Sequence, residues 1–354
     1  MRIKKIALFS PVPINSKLQT GISIRINELC KWFKSNSLNT FVRDKTDSNI
    51  ISEVDAVYVM VSTKPSSISS QIAKSIPSAK LLIVDLYTPI FLEKELYYSK
   101  FNPKNFLDRK KAKSSVKKIL VRGNLFLVAN KKQREYWLKT SKSLGVIIEP
   151  SDISAIPTGA PAPTFLKRAP NKIILWFGGI YPWLDPAPLA EAFLQIAKKY
   201  PDWKLRILGG YYQGTGYLKI YNNFLKILSL VPPDQVELIP WQKPQDLPKY
   251  LNDAAFAVHL PKSTKEDIYA HRVRLLSLTN SHIPVLTSGN DAISQAIIKE
   301  NAGVRVSTNP RILASQLAVN MTNQKRISQM SKNAALIERS FLKNQSKDNI
   351  LTHV

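Results

Sequence analysis

Cysteine is all but absent, with Cys30 the one thiol in 354 residues. That excludes an internal disulfide and any cysteine-rich zinc site, and it fits a reducing compartment, with the cytoplasm as the default. Histidine is scarce, at four residues, and no carboxylates cluster with it, so no metal site is expected. No apolar run reaches the roughly 18 residues of a membrane-spanning helix. The N-terminus MRIKKIALFSPVPI has the charge of a signal peptide. Its apolar segment, however, falls well short of the roughly 7–15 residues such a segment needs, so it is expected to be a first strand. Zinc-finger spacing, basic-leucine heptads and the aromatic RNA-reading motif are all missing, which disfavours nucleic acid as a partner. No repeat of solenoid length occurs.

Acidic residues are also few: 25 Asp and Glu stand against 51 Lys and Arg, a net charge of +26. Such an excess attracts polyanions, among them anionic lipid headgroups and phosphorylated substrates. A hydrophobic fraction of 44% with 21% charged residues is globular, and the length favours two domains over one.

What is present is alternation. Short apolar strands at 6–10, 41–42, 56–61, 80–85 and 125–129 are separated by helical or loop material, and 22–35 carries Ile22, Ile26, Leu29, Trp32 and Phe33 at helical spacing. This predicts an α/β fold with a doubly wound parallel sheet. Between the last two strands, 102–122 is strongly cationic, with sparse apolar residues. It is either a solvated helix face or a surface that docks on anionic lipid.

A proline-rich stretch, 159–170, reads as an interdomain linker between a first domain at 1–158 and a second at 171–323. Strands are then expected at 173–177, 204–208, 236–239, 255–260, 283–287 and 303–306. Helices are expected at 186–199, 217–230, 245–252, 268–278, 292–300 and 311–319. A last helical segment, 324–354, is long enough to return to the first domain. Two consecutive Rossmann-like halves of this kind predict a cleft between their carboxyl edges.

The most informative stretch is KIILWFGGIYPWLDPAPLAEAFLQIAKK at 172–199. A buried strand runs into Gly178-Gly179, crosses an aromatic loop and restarts as a helix. Asp185 can cap that helix and Pro186 supplies the φ of a first helical position. Two glycines let the backbone turn sharply or approach a ligand, and in an open parallel sheet ligands bind at that edge. A plain βα corner is the alternative.

Taken together, SPVPINSKLQTGISIRINEL, IVDLYTPIFLE, FLVANKKQREYWL, AIPTGAP, ILWFGGIYPWLDP and HRVRLLSLTNSHIPVLTSGND resemble the GT-B fold of nucleotide-sugar glycosyltransferases, of the group 1 or family 4 kind. The resemblance implies a sugar donor held by the second half and a glycan or lipid-linked acceptor held by the first, in cell-surface polysaccharide or glycolipid synthesis. It implies no cofactor, the nucleotide sugar being a substrate, and metal independence. The expected location is cytoplasmic and peripheral on the inner membrane face, against an anionic surface. Members of the group carry an acid and an R-x-R pair before a helix, which Glu266, Arg272 and Arg274 match. Two positions depart: Ser277 replaces a helical carboxylate that contacts the nucleotide ribose in related enzymes, and His282 replaces a glycine.

Two guanidiniums at a helix start suit a departing diphosphate, since Arg binds phosphate bidentately and helix N-termini favour anions. The diphosphate is expected near 268–274 and not at the 186–199 helix, where Asp185 would repel it. Salt bridging is the other role open to the two arginines. Tyr181 and Trp183 are candidates to stack on a base or sugar, whereas Trp176 belongs to a buried strand. His259 ends a strand and could contact sugar or phosphate, or serve as a structural histidine. Asp85 could take a proton from an acceptor hydroxyl or cap its loop, and Thr20-Gly21 could present N–H groups to the acceptor or cap the first helix. A catalytically degenerate relative, acting as a binding subunit, is the second reading. An epimerase lacks a clear acid/base set here.

Overall fold

The structure, a computed structural model, describes residues 3–13, 20–98, 104–160, 170–211 and 218–339. They form two compact units: the described residues up to Gly159 with Tyr269–His271, and Ala160–Ile268 with the described residues from Arg272 onward. Most of the proline-rich stretch expected as a linker (161–169) and the end of the expected C-terminal helix (340–354) lie outside the described residues, as do 14–19 of the first loop.

The first unit runs β1 (Lys5–Phe9), α1 (Gly21–Ser35), β2 (Asn39–Arg43), α2 (Ser48–Glu53), β3 (Ala56–Met60), α3 (Ile68–Ser75) and β4 (Leu81–Asp85). It continues with α4 (Ile90–Glu95), α5 (Lys104–Arg122), β5 (Leu125–Val128), α6 (Lys131–Ser143) and β6 (Ile153–Ala155). All six strands are parallel, in the order β2-β1-β3-β4-β5-β6. Successive strand residues face opposite sides: Ile6, Leu8, Tyr58 and Leu127 pack with Leu29 and Phe33 of α1. Ala7, Phe9, Val57 and Val84 pack on the other side with Ile72 of α3 and Val116 and Ile119 of α5. Both faces are therefore apolar and helix-covered, as a parallel sheet requires, and each buried Leu or Ile contributes roughly 1.5–3 kcal/mol. Strand β6 was not expected. Three residues show no period, and Ile153–Ala155 extend because the open edge of β5 pairs with them, Phe126 opposite Ile153.

The second unit runs β7 (Ile173–Gly179), α7 (Ala187–Ile196), β8 (Lys204–Gly210), α8 (Leu218–Leu228), β9 (Val236–Ile239), α9 (Leu247–Leu251) and β10 (Phe256–His259). Then come α10 (Lys265–Tyr269), α11 (Val273–Asn280), β11 (Val285–Thr287), α12 (Ala292–Lys299), β12 (Gly303–Arg305), α13 (Pro310–Thr322) and α14 (Gln324–Ala334). Its sheet is also parallel, in the order β12-β11-β10-β7-β8-β9. Ile174 and Trp176 of β7 are buried with Leu189 and Phe193 of α7 and Leu317 of α13, so Trp176 is core. Helix α7 starts one residue later than expected, with Asp185 Oδ1 accepting from Ala187 N at 3.3 Å.

The single helix expected at 268–278 is two short helices. Arg272 leaves the helical region, at φ −85° and ψ 72°, and stands as N-cap of α11. Residues Tyr269–His271 pack in the first unit: Gln133 Nε2 donates to Tyr269 O at 3.0 Å, and His271 Nε2 lies 2.9 Å from Thr158 O. Periodicity cannot register a break imposed by such long-range contacts.

Candidate active site

The second sheet is built outward from its centre. From β7 the chain adds β8 and β9 on one side, then crosses to add β10, β11 and β12 on the other, which puts the topological switch point between β7 and β10. Ligands of open parallel sheets bind outside the carboxyl ends of the strands at such a point. Gly178-Gly179 end β7 there, and His259 ends β10.

The aromatic loop after β7 is tied to the end of β10. Asp185 N donates to Leu260 O at 2.9 Å, Lys262 N donates to Trp183 O at 2.9 Å, and Leu184 forms a bridge with Pro261. This holds Tyr181 and Trp183 stacked on each other, with ring centroids 4.9 Å apart and planes 11° apart. Gly178 has φ +89°, and the paired glycines that end β8, Gly209 and Gly210, have φ +109° and +70°. A Cβ on Gly209 would lie 3.1 Å from the Gly178 carbonyl carbon, so the second glycine pair is needed for the two strand ends to run this close. The second pair stands in the sequence as ILGGYY and was missed.

Arg274, in the first turn of α11, wraps this turn. Its Nη1 donates to Phe177 O at 3.1 Å and Gly179 O at 3.0 Å, and its guanidinium stands 5.7 Å from the Tyr181 ring centroid. Burial lowers its pKa to about 10, so it stays a cation at neutral pH. Arg272 is buried and its Nη2 donates to Glu266 Oε2 at 2.6 Å, with Asp267 Oδ1 3.9 Å away. The salt-bridge role open to Arg272 is thus realised, while among the described residues Arg274 bonds to carbonyls and a ring face.

Around Arg272 stand three buried carboxyls. Asp267 Oδ2 accepts from Asn290 N at 2.7 Å, and Asp291 caps α12 through Ile293 N and Ser294 N, so α10 anchors the loop after β11. Burial raises all three carboxyls, Asp267 to about 6 with help from the neighbouring Asp291 charge. His259 is pushed well below its ordinary value by burial and then by the charges of Arg274 and Arg272, and is neutral. Glu266 Oε1, Asp267 Oδ1, Arg272 Nε, Thr264 Oγ1 and His259 Nε2 are all buried without a hydrogen-bond partner among the described residues. Buried polar atoms are nearly always paired, so this concentration at one sheet edge makes it the candidate site.

The two departures have local explanations. Ser277 Oγ donates to Val273 O at 3.3 Å, turned back along its own helix. His282 has φ +55° just past α11, with its N–H donating to Thr279 O. This is the left-handed position that favours glycine after a helix, so the residue there ends a helix.

Of the candidates in the first unit, Asp85 is fully buried. Arg25 Nε and Nη2 donate to its two oxygens at 2.8 and 3.1 Å, and Tyr58 Oη donates at 2.6 Å. Its side chain thus serves a buried ion pair with no exposed surface, which favours a structural role over taking a proton from an acceptor hydroxyl. Thr20 and Ser23 form a capping box on α1, with Ser23 N donating to Thr20 Oγ1 at 3.2 Å and Thr20 N to Ser23 Oγ at 2.8 Å; it contributes about 1 kcal/mol. A Cβ on Gly21 would meet Tyr87 Oη at an ordinary 3.8 Å.

No protein-family model matches the sequence, and no curated protein sequence matches it significantly. Solved structures do match. An alpha-glucosyltransferase in complex with UDP and a 13-mer DNA containing a HMU base superimposes with TM-score 0.69 at 8% identity, covering 99% of this chain and all of that one. Sucrose-phosphate synthase from Thermosynechococcus elongatus gives TM-score 0.66 at 14% identity, over 99% of this chain and 97% of that one. TarM gives TM-score 0.60 at 14% identity over 84% of this chain, which spans only 53% of TarM. The chain has the GT-B fold that the sequence predicts.

Proposed function

We propose that this chain is a nucleotide-sugar glycosyltransferase, with the donor held at the carboxyl edge of the second sheet. The observation that carries the reading is Arg274, a cation bound round the Gly178-Gly179 turn at the switch point, next to Arg272 at the start of α11. Breaking a sugar–diphosphate bond leaves charge on the departing diphosphate. Guanidiniums fixed beforehand by protein contacts stabilise that charge without reorganising. In this reading Arg274 and the first N–H groups of α11 meet the diphosphate. Glu266 Oε1, to which no described residue donates, accepts a hydroxyl of the transferred sugar and so orients it. His259, neutral, donates or accepts toward the same polar ligand. Tyr181 and Trp183, stacked beside Arg274, form the aromatic wall on which the base or sugar lies. The acceptor is a glycan or a lipid-linked sugar, and polysaccharide or glycolipid synthesis is the setting. Arginine supplies the cationic charge, so the reaction is metal-independent.

The test is a panel of nucleotide sugars with purified full-length protein, starting with the uridine diphosphate donors because the alpha-glucosyltransferase neighbour carries UDP. Donor hydrolysis or transfer that survives EDTA within about twofold and falls on the order of 10²-fold or more in Arg274→Ala supports the reading. No turnover and no nucleotide binding would end it. Ser277 favours a second reading, a non-catalytic relative: a hydroxyl bonded to its own helix replaces the carboxylate that the resemblance places at the ribose. That version predicts no nucleotide-dependent rise in melting temperature.

A further inference from the structure

In the first unit, α3 and α5 lie side by side and border an open pocket of about 340 Å³. Its walls carry Lys74 from α3 and Lys110, Lys111 and Lys118 from α5. The buried hydroxyls of Ser70 and Ser115, 2.9 Å apart, also line it. None of these lysines forms a salt bridge or hydrogen bond among the described residues. The arginines of α5 are otherwise engaged: Arg109 pairs with Glu95 at 2.6 Å, and Arg122 donates to Pro77 O and Lys80 O. The one acid of the helix, Asp108, is taken by Lys94 and Tyr98.

Apolar side chains point outward on the same helix. Val116, Ile119 and Leu120 are buried, yet Phe106, Leu107 and Val121 are 69%, 59% and 65% exposed. Leu107, Lys110, Lys111, Ser114, Lys118 and Val121 fall at helical spacing along one stripe. Apolar residues at both ends with lysines between them that form no ion pair among the described residues match a lipid interface, where ammonium groups meet headgroup phosphates and apolar side chains enter the acyl boundary.

We infer that this face of the first unit docks on an anionic bilayer, with a headgroup phosphate entering the α3–α5 pocket. Charge complementarity selects an anionic occupant. Lysines meet nucleic-acid and lipid phosphates alike, but the exposed apolar side chains of Phe106, Leu107 and Val121 beside them have an acyl boundary to enter on a bilayer and no counterpart on a polynucleotide backbone. The docking does not depend on sugar transfer.

The experiment is co-sedimentation of the full chain with phosphatidylcholine vesicles, alone or with about 30% phosphatidylglycerol. Binding is expected on the anionic vesicles only, and it weakens as salt shortens the Debye length. Each exposed lysine near such a surface contributes about fivefold, so Lys110→Ala/Lys111→Ala/Lys118→Ala lowers partition by roughly 10²-fold at unchanged melting temperature. Phe106→Ser/Leu107→Ser lowers it by on the order of tenfold and leaves the salt dependence intact. Equal binding to neutral vesicles, or a triple variant that binds as the parent does, overturns the inference. So does an oligonucleotide that binds these lysines more tightly than vesicles do.

Discussion

Arg274 and Gly178 work as a pair at the scale of single residues. The guanidinium lies where a Gly178 side chain would be: a Cβ there would stand 3.3 Å from Arg274 Cζ, on a backbone with φ +89°. Gly178→Ala is therefore expected to strain the turn by on the order of 1–2 kcal/mol and displace the cation, raising the nucleotide Kd at least tenfold by calorimetry. A titration is expected one residue from Glu266. The Asp267 carboxyl has its pKa raised to about 6 from 3.8, so the folded state holds a proton that the unfolded state has released between these values. Stability contributed by this group is present below about pH 4 and lost as pH rises to about 6. Asp267→Asn, which keeps an oxygen for Asn290 N, should gain stability relative to the parent across that window and show a flat difference above it. Urea titrations at stepped pH would measure this.

Helix α1 shows the same logic at the scale of an element. Its capping box starts the helix, and one turn later Arg25 enters the sheet side fully buried, bound to Asp85, to Ile156 O and to Thr158 Oγ1. Removing one member of such a pair leaves an uncompensated charge. Arg25→Met is therefore expected to destabilise by about 3–5 kcal/mol, and Arg25→Met/Asp85→Leu by clearly less than the sum of the two single changes. Additive losses in chemical denaturation would show that the pair is not coupled. Helix α11 ends on His282 in the left-handed region, where glycine is unstrained, so His282→Gly is expected not to lower the melting temperature and to leave nucleotide affinity within about twofold. The group's glycine at this position is then a matter of backbone conformation, whatever Ser277 does.

At the scale of the whole molecule, the excess of 26 positive charges favours every anionic ligand, so binding alone identifies nothing. Specificity has to come from fixed geometry. A cognate nucleoside diphosphate at one hundred times its Kd should stabilise the protein by about 2.7 kcal/mol, and Arg274→Ala should abolish the shift. An equal shift from inorganic pyrophosphate would mean that Tyr181, Trp183 and the base contribute nothing.

Sequence alone determined what depends on local order. Strand and helix alternation follows from the side-chain period and the turn after β7 from Gly178-Gly179, while the start of α7 shifted by one residue, with Pro186 and not Asp185 as its N-cap. The GT-B resemblance rested on these segments, spread along the chain. Where a feature depends on a partner far away in the chain, only the tertiary structure decided it. It broke the expected 268–278 helix because Tyr269–His271 bond to Gln133 and Thr158. It paired Asp85 with Arg25, sixty positions away, and it brought Asp267, Asp291 and His259 to one sheet edge. Hydrogen-bond partners and burial are set by proximity in space, and a periodicity of two or 3.6 residues carries no record of them.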